Sequence, residues 1–350
     1  MTGIITKNTG RASGVVGTSA AGVPAVTSDP PTADLNEGDM WLRTDLTANN
    51  LKAYMNQAVN WSAGGTLPYS AYGITSAGTI SDTTSVGGIQ PSPSSSVNTG
   101  SEYNGTSWSG ITNYPISMYG GVASCASPGS DVTVAGGRTY PGSGVTTCNE
   151  WDGSSWSSGG SLSTARYVGI GAGTASAMAA IGGEPGTMST REDYNGSSWS
   201  SGTSFPTTIV EAGMTTAGPA TDWCFANGRD GSPPYSLQGY SWNGSSYSTF
   251  PKPPSSPSSS NGNGTNFGSG SSNLISGLSE YPPGQHSDPM EWNGSAWSAI
   301  PASFPGKKSW TSTATAGNAS TNGAGVIVGG SPHTNATVEY QYGLAAVALN

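Results

Sequence analysis

The segment Glu102-Tyr103-Asn104-Gly105-Thr106-Ser107-Trp108 returns along the chain with little change. The copies are Glu150-Trp151-Asp152-Gly153-Ser154-Ser155-Trp156, Asp193-Tyr194-Asn195-Gly196-Ser197-Ser198-Trp199, Ser241-Trp242-Asn243-Gly244-Ser245-Ser246-Tyr247 and Glu291-Trp292-Asn293-Gly294-Ser295-Ala296-Trp297. A degenerate copy follows at Glu339-Tyr340-Gln341-Tyr342. From the first aromatic of one copy to that of the next, the mean period is about 47 residues, within the range of propeller blades and repeat arrays. A second landmark precedes each copy: an apolar stretch closed by small residues, at Gly87-Gly88, Gly136-Gly137, Gly182-Gly183, Asn227-Gly228, Ser276-Gly277 and Gly329-Gly330.

Asn-Gly or Asp-Gly between two aromatics is a hairpin signal, and a two-residue type I′ turn is expected there because both central residues need positive φ. The aromatics on either side then pack across strands or against a neighbouring sheet. Each unit holds an upstream apolar and glycine-rich segment, a strand ending in the small pair, a strand ending in the first aromatic, and a strand starting at the second. Four-stranded units of this kind arranged radially make a β-propeller. Because the ten aromatics Tyr103, Trp108, Trp151, Trp156, Tyr194, Trp199, Trp242, Tyr247, Trp292 and Trp297 keep their place in every unit, they read as packing between blades rather than a glycan-stacking platform. The acids Glu102, Glu150, Asp193, Glu291 and Glu339 also recur by unit. They read as charges on outer strands that discourage edge pairing, since a catalytic pair needs two carboxylates in one place with different environments.

Composition agrees with an all-β chain. Charged residues make up 9% of the 350 and hydrophobic ones 34%, with 53 Gly and 24 Pro; Gly, Ser, Thr and Asn favour turns and strands over helices. The 11 Trp, 15 Tyr and 5 Phe argue against disorder. A net charge of −9 with 11 basic residues speaks against nucleic acid as a partner. The longest apolar run, Leu344 to Leu349, is far short of the roughly 20 residues of a membrane span, so no membrane insertion is expected. Cys125, Cys148 and Cys224 have no metal-site spacing. They read as small core residues, with a Cys125–Cys148 disulfide as the lesser alternative. No metal or other cofactor is expected.

The double glycine, the Glu-Tyr or Glu-Trp and the following Trp resemble the kelch repeat over residues 66–343, although the turn is shorter than the usual kelch hairpin. The resemblance and the six small-residue landmarks imply a six-bladed kelch-like β-propeller with an extended N-terminal arm. The expected division is 1–50 for the arm and 51–350 for the propeller. Upstream, Gly38-Asp39-Met40-Trp41-Leu42-Arg43-Thr44 followed by Leu51-Lys52-Ala53-Tyr54 looks like a module of tailed-bacteriophage virion proteins. It implies a non-enzymatic virion component (tail fibre, tail appendage or capsid projection) assembled in the host cytoplasm. Gly38, Asp39, Trp41 and Arg43 are then the anchoring candidates. Residues 1–50 would meet other virion proteins, and the propeller a host cell-surface glycan or protein, with the chain present as a homo-oligomer or in many copies on the particle. The alternatives are a glycan-processing hydrolase on the same fold and an assembly adaptor that meets only virion proteins.

No catalytic constellation stands out. Asp152 and Gly153 are adjacent, unlike the Ser-x-Asp-x-Gly-x-x-Trp box of sialidase-type propellers. The two histidines, His286 and His333, have no nucleophile motif beside them. The connections after the small pair and between blades vary in length and fall on one face, where recognition is usually carried. The candidate ligand-binding residues on that face are Arg138, Tyr140, Arg166, Tyr167, Arg229, Tyr235, Tyr281, His286, Lys307, Lys308 and Trp310. Val59 to Ser62 is expected to close the ring by adding to the last blade; the alternative is that Leu344 to Leu349 supplies that strand and leaves 36–62 as a separate β-element.

Overall fold

The computed structural model describes residues 25–26, 28, 30, 39–43, 51–91, 94–186, 188–209, 220–226, 238–251, 254, 265–269, 273–277, 290–292, 294–300, 312–315, 325–330 and 334–348. Among them there is no helix, and the strands take a β-propeller arrangement. Blade 1 is Thr75–Thr79, Asp82–Val86, Gly100–Tyr103 and Trp108–Ile111; blade 2 is Val122–Ala123, Val132–Ala135, Cys148–Trp151 and Trp156–Ser158. Blade 3 is Ile170–Thr174, Ala177–Ile181, Arg191–Tyr194 and Trp199–Ser201, and blade 4 shows three described strands, Trp223–Phe225, Gly239–Trp242 and Tyr247–Phe250. Blade 5 is Thr265–Ser269, Asn273–Gly277, Met290–Trp292 and Trp297–Ala299.

The expected count of six blades is corrected to five. The last repeat's strands, Ser312–Thr315, Gly325–Val328 and Thr337–Ala348, belong to a sheet that also takes in Leu51–Ala63. Among the described residues the last repeat has no fourth strand of its own. Its third strand therefore offers an open edge, beside which the Trp61–Ala63 end of Leu51–Ala63 lies. The chain divides into two compact units, Trp61–Gln341 and Met1–Asn60 with Tyr342–Asn350, which part within the two long strands. In the smaller unit, Ala25–Val26 runs parallel to Met40–Arg43, and Trp41 is buried.

In the larger unit the core is a series of layers between neighbouring blades. Successive strand residues face opposite neighbours: Val122 packs with Met178 and Tyr194 of blade 3, while Ala123 packs with Ala77 and Val86 of blade 1. Both faces are thus covered, which explains the wholly buried Val132–Ala135 and Gly325–Val328. The first aromatic of each motif fills the layer toward the preceding blade, as Trp151 does against blade 1 and Trp242 against blade 3. The second aromatics reach back by hydrogen bonds. Trp156 Nε1 donates to Thr112 O (3.0 Å), Tyr247 Oη to Thr203 O (3.1 Å) and Trp297 Nε1 to Pro251 O (2.6 Å). The cysteines are free and buried, so no disulfide forms.

Two local expectations are overturned. Tyr103 pairs directly with Trp108, and the same register holds at Trp151–Trp156, Tyr194–Trp199, Trp242–Tyr247 and Trp292–Trp297. Four residues therefore lie between the paired aromatics, not the two of a type I′ turn. The Asn or Asp side chain closes the loop by accepting two main-chain N–H bonds, as Asn195 Oδ1 does from Ser197 (3.1 Å) and Ser198 (2.9 Å). Only the glycine needs positive φ, between +87° and +90° in all five turns. The recurring acids, for their part, do not sit on edges. Glu150 is flanked by Thr133 and Ser157 and accepts a hydrogen bond from Tyr194 Oη of the next blade (2.6 Å). Glu339 likewise accepts from Tyr103 Oη.

The double glycines have a backbone reason. The second glycine donates its N–H to a carbonyl leading into the next blade: Gly88 to Met118 (2.8 Å), Gly137 to Arg166 (2.8 Å), Gly183 to Ile209 (2.8 Å) and Gly330 to Ala71 (3.2 Å). At the first glycine a Cβ would strike that same carbonyl, 2.4 Å away at Gly136 with φ +66°. Gly136→Ala therefore combines a backbone clash with a left-handed conformation. Its cost is expected to exceed about 1 kcal/mol, read as a lower denaturant midpoint, whereas Gly110→Ala, where nothing lies within 4 Å, leaves the midpoint nearly unchanged.

Candidate functional site

The face opposite the Asn-Gly turns carries a cluster that repeats by blade and then diversifies. Tyr72-Gly73, Tyr119-Gly120 and Tyr167-Val168 lead into the first strands of blades 1, 2 and 3. Each tyrosine exchanges two main-chain hydrogen bonds with a residue of the connection after its blade's double glycine: Tyr72 with Ile89, Tyr119 with Arg138, Tyr167 with Glu184, at 2.8–3.1 Å. Neighbouring lead-ins are joined in turn, Gly120 N to Gly73 O (2.8 Å) and Val168 N to Gly120 O (2.7 Å). Val168 holds φ +49°, where a β-branched residue is rare. It does so at the position that glycine fills in the other two blades, because the linking bond fixes the backbone there.

Arg138 is the centre of the cluster. Its Nη1 donates to Tyr119 Oη (3.1 Å), its Nε to Gly142 O (3.0 Å), and its guanidinium carbon lies 5.2 Å from the centroid of the Tyr167 ring. Tyr167 Oη donates to Glu184 Oε2 (2.7 Å). Burial, then the bond to Glu184, pushes the Tyr167 phenol up to about 12, so it stays a proton donor. Burial also raises Tyr119 against the opposing pull of Arg138. Burial and then the neighbouring Tyr140 raise Tyr72. Tyr140, 40% exposed, is the one large side chain of apolar body that stands out in solvent among the described residues. Its backbone is tied to Ser96 by Tyr140 N to Ser96 Oγ (3.0 Å) and Ser96 N to Tyr140 O (3.3 Å). The arrangement holds a cation at fixed orientation on an aromatic floor beside an exposed ring, which suits hydrogen bonding to an acceptor and stacking.

Of the candidates read from sequence, the structure brings Arg138 and Tyr167 together, and Tyr140 stands exposed on the same connection as Arg138. Arg166 is a correction: it is not on the face but fully buried and paired with Glu192 (2.7 Å), with further bonds to Gly182 O (3.0 Å) and Thr190 O (3.2 Å), so it braces blade 3. Arg229, Tyr235, Tyr281, His286, Lys307, Lys308 and Trp310 lie outside the described residues, as does Gly38. Asp39, Trp41 and Arg43 lie in the smaller unit, with Trp41 buried and not free for a partner. Tyr72, Tyr119 and Glu184 were missed. Tyr-Gly or Tyr-Val recurring 47 and 48 residues apart is the signal that marks the two tyrosines, while Glu184 follows only from main-chain pairing.

Two carboxylate pairs, Asp82 with Glu102 and Asp131 with Glu150, stand at the equivalent place in blades 1 and 2. Burial and then the partner acid raise Glu102 and Asp131. Asp82 also accepts from Ser130 Oγ (3.1 Å) of the next blade, so these acids join blades at the turn face. Among the described residues no group of three His, Cys, Asp or Glu side chains is placed to hold a metal ion. No protein family model matches the chain, and no curated protein is significantly similar to it.

Glu192 supplies a pH test of the brace beneath the cluster. Burial favours its neutral form, but the Ser163 N–H (2.7 Å) and the Arg166 guanidinium outweigh that and hold the carboxyl below its usual value of 4.5. The stabilisation is therefore present above the unfolded value and fades as pH falls through the folded one. Glu192→Gln leaves Arg166 buried without a counter-charge and is expected to cost about 3–5 kcal/mol near neutral pH. Urea melts of wild type and variant should converge as the solution is acidified below that range.

Proposed function

We propose that the chain is a non-enzymatic structural protein of a tailed-phage virion, a tail fibre, tail appendage or capsid projection. In this reading residues 1–50 attach it to other virion proteins, and the propeller turns its variable face to a host-surface glycan or protein. The blades are kelch-like in their double glycines and paired aromatics. The virion assignment rests on the Gly38 to Thr44 and Leu51 to Tyr54 sequence pattern. The binding role rests on one observation: the two faces differ in kind. One face repeats the same Asn- or Asp-closed turn blade after blade. The other holds Arg138 and Tyr140 of blade 2 in place with Tyr167 and Glu184 of blade 3. Many copies on a particle would multiply weak contacts at such a face.

Deleting residues 1–50 is expected to leave a propeller that melts cooperatively but no longer joins particles; particles that still incorporate the truncated chain would remove the anchoring role. In the full chain, Arg138→Ala with Tyr140→Ala is expected to reduce cell-surface retention of particles by about tenfold or more, the scale of losing hot-spot residues. Unchanged retention would remove the site.

A further inference from the structure

We infer that Asn104, Asn195 and Asn243 are sites of self-catalysed conversion to aspartate, because each turn presents the asparagine side chain as a preorganised electrophile next to an unblocked main-chain nitrogen. The inference is independent of the virion reading. At Asn195 the side-chain carbonyl oxygen accepts from Ser197 N (3.1 Å), Ser198 N (2.9 Å), Ser197 Oγ (3.0 Å) and Ser198 Oγ (3.4 Å). Asn243 repeats this with Ser245 N (3.0 Å), Ser246 N (2.9 Å), Ser245 Oγ (3.0 Å) and Ser246 Oγ (3.4 Å). Asn104 has the two N–H donors, from Thr106 (3.0 Å) and Ser107 (2.9 Å). These donors polarise Cγ and point at the oxygen that becomes anionic when Cγ turns tetrahedral, which is the arrangement of an oxyanion hole. The following residue is glycine in each case, so no side chain hinders its nitrogen, and the three asparagines are exposed to water.

The chemistry closes without an outside oxidant or metal. The main-chain nitrogen of Gly105, Gly196 or Gly244 gives its proton to hydroxide or water and attacks Cγ, and the amide nitrogen leaves as ammonia, forming a five-membered imide. Water then opens the imide at either carbonyl, to aspartate or to isoaspartate. Blade 2 shows how the turn receives the first of these products. Asp152 occupies the same position, with Oδ1 accepting from Ser154 N (2.8 Å), Ser155 N (2.8 Å) and Ser154 Oγ (2.7 Å), and with Gly153 at φ +87° against +89° at Gly196. The Ser154 hydroxyl and the two N–H groups hold the Asp152 carboxyl down to about 2, so this turn favours a carboxylate. Isoaspartate instead adds a main-chain carbon to a loop whose ends are fixed by the Tyr194–Trp199 pairing. Complete conversion adds three negative charges to a chain of net −9, all on the turn face.

The test is to incubate the full-length chain, folded and in denaturant, at mildly alkaline pH, and to follow each residue by peptide mapping that separates aspartate from isoaspartate. Conversion at 104, 195 and 243 is expected to run roughly tenfold or more faster in the folded chain than in denaturant, a modest share of what preset oxyanion donors supply. Aspartate should be the main folded-state product. In the Ser197→Ala, Ser198→Ala chain, position 195 alone should slow several-fold, with 104 and 243 as internal references. A folded rate at or below the denatured rate, or mainly isoaspartate in the folded chain, overturns the inference.

Discussion

The hydrogen bond from the second glycine of each pair to the lead-in carbonyl of the next blade is the contact on which the rest of the larger unit depends. It joins backbone to backbone, so it sets the spacing of blades without regard to side-chain identity. It also demands a residue without Cβ just before it, since at Gly87 the missing carbon would fall 2.3 Å from Met118 O. The inner strands show the same crowding, for a Cβ on Gly171 would lie 2.3 Å from Ala123 O. Side chains then fill only the space that this spacing leaves: Val and Ala from both neighbours between blades 1 and 2, and Ile and Ala of blade 3 against Trp223 and Phe225 of blade 4.

Because the staple is main-chain, outer contacts are free to vary in chemistry while serving one end. Where the first aromatic is tyrosine, its hydroxyl finds an acid of the preceding sheet: Tyr194 with Glu150, and Tyr103 with Glu339. Where it is Trp242, there is no hydroxyl to offer. There Arg191, held by Asp193 (2.6 Å), lies 4.3 Å over the indole ring instead. The same freedom operates at the variable face. Tyr119 and Tyr167 are held by identical backbone bridges, yet their partners are Arg138 and Glu184. A rigid frame with interchangeable side chains is the condition under which a binding face can change without loss of the fold.

The repeat, the strand content and the burial of the first aromatic of each pair were legible in the sequence because each blade must solve the same packing problem, and the solution is printed every 47 or so residues; the second aromatics are only half-buried. The turn was misread because an Asn-Gly dipeptide was weighed by backbone φ alone. In the fold, Asn104 Oδ1 stands in for a backbone acceptor, so only Gly105 takes positive φ. Six landmarks suggested six separate blades, but motif spacing does not reveal that a neighbouring strand will pair onto an open edge. At the candidate site, the sequence marks Tyr167, Arg138 and Arg166 alike as residues of the variable connections. Only the fold shows that Arg166 points inward to Glu192 while Arg138 lies over Tyr167.

The ends of the larger unit show how a repeat lacking one aromatic is completed. In the five blades the paired aromatics lie 4.6–5.5 Å apart. Tyr340 has no such partner after it in sequence, and Trp61 lies 4.7 Å from its ring. Gly64 N donates to Thr337 O (3.0 Å) just as Gly159 N donates to Cys148 O (3.0 Å) in blade 2. Ser62 Oγ reaches Glu339 Oε2 (3.4 Å) across a separation of 277 residues. Loop-closure entropy grows only with the logarithm of length, so so distant a contact costs little more than the joining of adjacent blades. Its burden is kinetic, because a pairing of such separation must await the intervening blades. The aromatic pair and the glycine staple from Gly330 to Ala71 therefore both join the last repeat's strands to the first residues of the larger unit.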